Sequence, residues 1–303
     1  GKPVVLILIN GRPLSINWAD KFVPAILEAW YPGSKGGTAL ADILFGDYNP
    51  GGKLTVTCPK TVGQIPFNFP CKPSSQIDGG KNPGPTGNMS RINGALYPFG
   101  YGLSYTTFEY SDLKADEKGV TLTVTNTGSC AGAEIVQLYV AKQDAKVFRP
   151  AQELKGFAKV FLAPGESRTV SIALDGKAFR YWNVKTDRWE VEGGSYQLRV
   201  GASSADIRLT AEVSVKGTNA PDPYEGLDLL HYVSGQITYV TDAEFEALLG
   251  HPVPEDVVRI DRNMMLGEMD HGRSPLGWVA QKVLRYRLDL SLIHISEPTR
   301  HSL

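Results

Sequence analysis

The amino-acid sequence predicts a multidomain protein: a partial α/β sandwich, then an all-β sandwich, then a short, partly helical extension. Apolar runs and helix-spaced segments share the first part of the chain. Short strand-like runs then recur between turn residues, and Pro221 and Pro223 mark a change of composition after residue 217. The predicted segments are 1–110, 111–217, 218–288 and 289–303.

The α/β prediction begins with residues 4–9, a continuous apolar run typical of a strand that is buried on both faces. Residues 38–45 carry apolar side chains at helical spacing, and Gly46 supplies the stop. Residues 55–56 suggest another short strand. Because two or three strands cannot bury both faces of a sheet, this α/β sheet is predicted to be incomplete.

Residues 96–110, LYPFGYGLSYTTFEY, combine large aromatic rings with the turn formers Pro98, Gly100 and Gly102. Large rings bury the most area per residue, so this junction segment is predicted to lie where two domains pack together. An aromatic-rich turn inside one domain is the alternative. The strand-like runs that follow predict a β-sandwich, and they are residues 120–125, 135–140, 155–161, 169–174, 196–200 and 207–215.

In the extension, residues 242–249 are predicted to form a helix capped by Thr241 or Asp242, and residues 277–288 a second helix. Residues 289–303 fit no helical pattern and resemble translated sequencing-adapter DNA. They are treated as a non-native tail, with a native disordered tail as the alternative.

Composition excludes several function classes. The net charge is −1 and 21% of residues are charged, which argues against nucleic acid or an anionic membrane surface as a partner. No apolar run is long enough for a membrane span.

All five histidines follow residue 230 and the three cysteines lack CxxC spacing, so a Ser-His-Asp triad and a zinc site are not expected. The glycine-rich step at 33–37 lacks phosphate-loop spacing, and no cofactor is predicted.

The junction segment closely resembles the PFGYGLSYTxFxY motif of family 3 glycoside hydrolases. Residues 10–14, NGRPL, and residues 30–59 extend this resemblance, which covers about residues 1–217. It implies that residues 1–110 belong to a C-terminal α/β sandwich domain and residues 111–217 to an immunoglobulin-like fibronectin type III sandwich. It further implies a parent that is a retaining, exo-acting β-glucosidase or β-xylosidase, with a β-linked oligosaccharide or glycoside as substrate.

The resemblance also implies where the catalytic groups lie. In that family the nucleophile is an Asp on an N-terminal barrel, and the acid/base is a Glu upstream of the segment matching Gly1. No position of this chain matches either motif, so no catalytic residue is predicted. We therefore expect Gly1 to be a cut end, the barrel to be missing in cis, and the isolated chain to be inactive.

Five acids precede Glu109 in the sequence. Solvated surface positions are expected for three of them, and bonding to backbone amides within a turn is expected for the fourth. The fifth lies in a long loop, residues 67–93, that is rich in Gly and Pro. These acids are, in that order, Asp20, Glu28, Asp42, Asp47 and Asp78.

The 67–93 loop is the candidate for contact with substrate. A flat apolar ring suits stacking on a sugar face, and polar side chains supply donors and acceptors for hydroxyl groups. The predicted substrate-binding residues are Phe69, Gln76, Asp78 and Arg91. The alternative is that the loop's phenylalanines only anchor it on the core.

Tyr181, Trp182 and Trp189 cluster in the β-sandwich and could form a sugar-binding platform, although core packing is the favoured interpretation for them, as it is for Trp18 and Trp30. Two further functions stay open. One is a non-catalytic module that binds carbohydrate or a protein partner, and the other is one chain of a split glycosidase.

Overall fold

The computed structural model describes residues 1–64, 67–72, 94–227, 229–233, 240–253 and 275–295. The chain divides into two compact units, residues 1–250 and 251–303. The first unit contains the α/β segment, the β-sandwich and the start of the extension. The second contributes one described helix.

The α/β segment is built on two parallel strands, β1 (Val5–Leu8) and β2 (Ala25–Glu28), in the register Val5↔Ala25. Helix α1 (Asn17–Phe22) connects them, and helix α2 (Gly36–Phe45) follows. Gly46 ends α2 in the left-handed conformation with φ 85°, which glycine adopts without a Cβ penalty. The strand predicted at 4–9 and the helix with its glycine stop are confirmed.

Two predictions for this segment were wrong. Strand β1 is not buried on both faces, because Val4 is 58% exposed and Val5 48% exposed, and β2 is its one neighbour in the described sheet. The strand expected at 55–56 instead lies at β3 (Cys58–Pro59), which pairs with β4 (Ala95–Tyr97). A single turn of 3-10 helix, Val62–Gln64, follows β3.

The β-sandwich region contains the strands β5 (Phe108–Asp116), β6 (Gly119–Asn126), β7 (Gly132–Lys142), β8 (Glu153–Leu162), β9 (Ser167–Ala173), β10 (Arg180–Asn183), β11 (Arg188–Val191), β12 (Gly194–Gly201) and β13 (Ile207–Val215). Two facing sheets form the sandwich, one ordered β5-β6-β9 and the other β13-β12-β7-β8, with all pairs antiparallel. Strands β10 and β11 pair separately as a hairpin.

The core of the sandwich follows from period-two alternation. In β6, every second residue is buried, and Leu122 and Val124 are at most 1% exposed. Opposite them, Leu138 on β7 and Leu198 on β12 are fully buried. Burying a side chain of this size contributes about 1.5–3 kcal/mol, so these inner faces hold the two sheets together.

All six strand runs predicted for this region are confirmed within a few residues, and the predicted fold class is confirmed with them. The hairpin β10–β11 was missed. Its tryptophans correct the expectation of core packing: Trp182 is 46% exposed and Trp189 58% exposed. Trp18 was also wrongly assigned to the core and is 71% exposed.

In the extension, α3 (Leu230–Val233) precedes α4 (Asp242–Leu249). Thr241 caps α4: its hydroxyl accepts from the Glu244 amide, and the Glu244 carboxylate accepts from the Thr241 amide, so the predicted helix and cap are confirmed. In the second unit, helix α5 (Pro275–Ile295) contains the helix predicted at 277–288 and continues beyond it. Among the described helices, none is long and apolar enough to cross a membrane.

Candidate functional site

Asn49 ties the α/β segment to the sandwich at the junction. Its amide nitrogen donates to the Ala131 carbonyl at 3.0 Å, and its carbonyl oxygen accepts from the Tyr105 amide at 2.8 Å and from the Ser104 hydroxyl at 3.0 Å. The sequence assigned backbone bonding in this turn to Asp47. Asp47 is exposed, and Asn49, two residues later, makes these contacts instead.

A buried ion pair crosses the same junction. Lys53 Nζ lies 3.5 Å from Glu134 Oε1, with the two side chains only 11% and 4% exposed. Tyr110 donates its hydroxyl to the same carboxylate at 2.9 Å, and burial, followed by the charge of Glu134, raises the pKa of Tyr110. Glu134 lies on β7 and Lys53 in the α/β segment. The ion pair therefore holds the α/β segment against the β-sandwich.

The junction segment itself is held from the β7 side. Gln137 donates from its amide to the Gly100 carbonyl at 3.1 Å and to the Ala202 carbonyl at 2.7 Å. Tyr139 donates its hydroxyl to the Gln137 side-chain oxygen. Gly100 has φ 80°, and a Cβ there would overlap the Gln137 amide, so glycine is required at this position.

Residues 67–72, the described start of the 67–93 loop, contact this junction. The Phe69 ring stacks on Phe99 at a centroid distance of 4.6 Å and 16° between planes, and it meets Tyr139 edge-on at 5.7 Å. Phe69 is half-buried. One face of its ring is therefore covered by the junction segment, as expected for a residue that anchors the loop.

A second contact lies a few residues farther along the same loop. Lys72 Nζ sits 4.8 Å from the centre of the Phe148 ring, and burial lowers the pKa of Lys72. Phe148 in turn meets Tyr232 of α3 at 6.1 Å. Nothing in the sequence pattern signals this contact, because the three residues come from distant parts of the chain.

The other predicted substrate-binding residues, Gln76, Asp78 and Arg91, lie outside the described residues. The described residues resume at residue 94. Tyr97 on β4 donates its hydroxyl to the Asp20 carboxylate at 2.6 Å. Burial, and next this hydrogen bond, raises the pKa of Tyr97.

A second acid of the α/β segment, Glu28, is also held by hydrogen bonds. Glu28 accepts from the Asn10 side-chain amide at 3.1 Å and from the Trp30 amide at 3.0 Å. Together with Asp20, it is thus engaged in contacts that shape the fold. Across the parts of the chain that the structure describes, no cluster of three His, Cys, Asp or Glu side chains could hold a metal ion.

Comparison with known proteins decides the family. Residues 1–105 match the Glycosyl hydrolase family 3 C-terminal domain, and residues 134–204 match the Fibronectin type III-like domain. The chain carries the C-terminal region of a family 3 glycosyl hydrolase. The resemblance noted in the sequence is thereby confirmed, and the junction segment connects the two matched domains of family 3.

Similar family 3 proteins include a periplasmic β-glucosidase of Salmonella typhimurium, 44% identical over 223 residues that make up 69% of this chain and 28% of the relative. A β-xylosidase of Formosa agariphila is 44% identical over 71% of this chain and 30% of its own length. The chain therefore spans less than a third of these curated relatives.

Among solved structures, a family 3 β-glucosidase of Bifidobacterium adolescentis is similar with a TM-score of 0.60 and 32% identity. This similarity covers 90% of the present chain and 36% of that protein. It therefore reaches beyond the fibronectin type III-like domain into the extension.

Proposed function

We propose that this chain supplies one wall of the substrate pocket of a retaining, exo-acting β-glucosidase or β-xylosidase. The observation that carries the proposal is the match of residues 1–105 to the C-terminal domain of family 3. The nucleophile and the acid/base belong to parts of the parent that no segment of this chain matches. The barrel is then a partner in cis, and the isolated chain is inactive.

The surface of the α/β segment supports this proposal. Large apolar side chains lie exposed on it, and such patches in soluble proteins mark surfaces that contact other protein. They include Trp18 at 71%, Phe22 at 59%, Tyr31 at 76% and Phe45 at 84% exposed. A barrel packed on this segment, in cis or as a separate chain of a split enzyme, would cover them.

The 67–93 loop is the proposed point of contact with sugar. Phe69 and Lys72 fix its first residues on the junction and on Phe148, so the segment after them starts from a defined position. In this proposal Phe69 anchors the loop and its half-buried ring stacks on a sugar face, while Gln76, Asp78 and Arg91 bond the sugar hydroxyl groups.

Two proteins, the chain alone and a chimaera, test the proposal. The purified chain should not hydrolyse an aryl β-glucoside, because it has neither catalytic carboxylate. A chimaera in which residues 1–217 replace the corresponding region of the Salmonella typhimurium β-glucosidase should hydrolyse it. Activity of the pure chain would refute the inactivity proposal, and a folded but inactive chimaera would refute the assignment of a pocket wall.

The loop assignment is tested in the same chimaera. Gln76→Ala, Asp78→Ala and Arg91→Ala should each raise KM by about tenfold, the cost of one well-made polar contact. Asp47→Ala is the matched control, because Asp47 is exposed and lies outside the loop. An unchanged KM in all three loop variants would refute the assignment of the sugar contacts to this loop.

A further inference from the structure

The hairpin β10–β11 presents two different faces. Trp182 and Trp189 are direct cross-strand partners, and Arg180 lies on their face, two residues before Trp182. Both indoles are about half exposed. On the opposite face Asn183 is fully buried and Glu190 is 5% exposed. The aromatic side of the hairpin therefore points to solvent and its polar side points inward.

The buried polar face accounts for the stability of the hairpin. Asn183 donates to the Pro221 carbonyl at 2.8 Å, and Glu190 accepts from Arg188 at 2.8 Å and from Thr186 at 3.1 Å. The two tryptophan rings contact each other edge to face, with centroids 5.5 Å apart and planes 81° apart. The fold thus holds the two indoles at right angles without burying them.

The aromatic face of the hairpin also carries a cationic residue, Arg180. Arg180 and Lys177 are both exposed, and within the described part of the chain no salt bridge joins either of them to an acid. The nearest exposed acid along the chain, Asp175, accepts from the Lys177 amide, and Asp187 lies in the turn between the strands. The guanidinium of Arg180 forms no ion pair among the described residues, so its charge is available to an anionic ligand.

We propose that Trp182, Trp189 and Arg180 form a binding site for a β-linked glycan that carries carboxylate groups, such as a xylan substituted with uronic acid. The apolar faces of sugar rings stack on the exposed indoles, and perpendicular indoles suit a chain whose successive rings are rotated. The guanidinium of Arg180 binds a carboxylate through two parallel hydrogen bonds.

Titration of the full chain, followed by tryptophan fluorescence and calorimetry, tests this site. A xylotetraose bearing one glucuronic acid should bind at least about tenfold more tightly than unsubstituted xylotetraose, and added salt should weaken its binding. Trp182→Ala and Trp189→Ala should each weaken binding about tenfold or more, and Arg180→Gln should abolish the preference for the acidic sugar while Arg180→Lys keeps part of it.

Trp18→Ala is the matched control, because Trp18 is an exposed tryptophan of the α/β segment. It should leave binding unchanged, and circular dichroism should show that every variant is folded. Three results would overturn the proposal. The first is no saturable binding of the acidic xylotetraose, and the second is equally tight binding of polyglutamate. The third is that the chain sediments as a dimer and becomes a monomer when Trp182 or Trp189 is replaced, because the indoles would then be a contact between copies of the chain. None of these results bears on hydrolysis by the chimaera, so the two proposals fail separately.

Discussion

The α/β segment and the β-sandwich have similar apolar strands but differ in how they are buried. Within the described residues, the main hydrophobic cluster draws its buried members from Tyr110 to Val213, all in the sandwich. Among the described residues of the α/β segment, the buried hydrophobic side chains are Ala19 and Cys58. Strand β1 has no fully buried residue, whereas every second residue of β6 is buried.

This difference separates a domain that completes its own core from one that does not. A sandwich brings two apolar faces together and needs no further element. A parallel pair such as β1–β2 has two apolar faces, each of which must be covered by something else. The sandwich should therefore fold cooperatively within this chain, and the α/β segment should depend on the junction and on protein that packs against it.

The largest expected effect comes from shortening one apolar side chain in each region. Leu198→Ala in the fully buried core of the sandwich should cost about 2–5 kcal/mol in the free energy of unfolding. Val5→Ala in β1 should change it by no more than about 0.5 kcal/mol, because Val5 is 48% exposed. Urea unfolding of both variants measures the difference. Equal losses would mean that β1 is as well packed as β12.

The next effect tests the fit of the junction segment. Gly100→Ala should cost about 2 kcal/mol, because a residue with a Cβ is strained at φ 80° and the added methyl overlaps Gln137. Gly33→Ala is the control: it has φ 72° but open space around it, so it carries the backbone strain alone. Thermal melts of the two variants should differ, and identical melting temperatures would exclude a packing role for Gly100.

A smaller effect is expected at the ion pair that joins the two regions. Lys53→Met leaves Glu134 buried beside Tyr110 without its cation and should cost about 1–2 kcal/mol. Lys155→Met, which removes a more exposed pair with Glu153 within one strand, should cost at most about 0.5 kcal/mol. Urea unfolding compares the two. A Lys155 effect as large as that of Lys53 would show that crossing the junction adds nothing.

The smallest effect concerns α4 and pH. The Thr241 amide, followed by His231, holds the pKa of Glu244 below its ordinary value. A lowered folded-state pKa stabilises the helix above the unfolded-state pKa, and this contribution is lost as pH falls through the folded-state value. The protection factors of the α4 amides, which are corrected for the intrinsic pH dependence of hydrogen exchange, should therefore fall on acidification. Glu244→Gln should remove that pH dependence, and an unaltered profile would refute this account.

The sequence predicted local structure best where a few neighbouring residues are enough to determine it. Alternation of Val120, Leu122 and Val124 identified β6, and Gly46 located the end of α2. The capping box at Thr241 is equally local. The hairpin β10–β11 was not predicted, because each of its strands is only four residues long. Four residues are too few to show the alternation of apolar and polar side chains that identifies a strand.

The site was harder to predict because its contacts join distant segments. An aromatic ring in the loop is enough to suggest Phe69 as a sugar contact. Only the fold shows that Phe99 covers one face of that ring. Lys72 meets Phe148 from a different domain. Burial of β1 was predicted from its composition, although composition records which faces are apolar and not whether anything covers them.

The bonds from Gln137 to Gly100 and Ala202 also bear on how such domains are inherited. Family comparison assigns residues up to 105, and so the junction segment's turn, to the α/β domain. Physically that turn is bonded to β7, and a recombination crossover near residue 110 would join a foreign turn to the native Gln137. Natural exchange of fibronectin type III-like domains between relatives should therefore favour crossovers upstream of residue 96, so that the turn and the strand that holds it travel together.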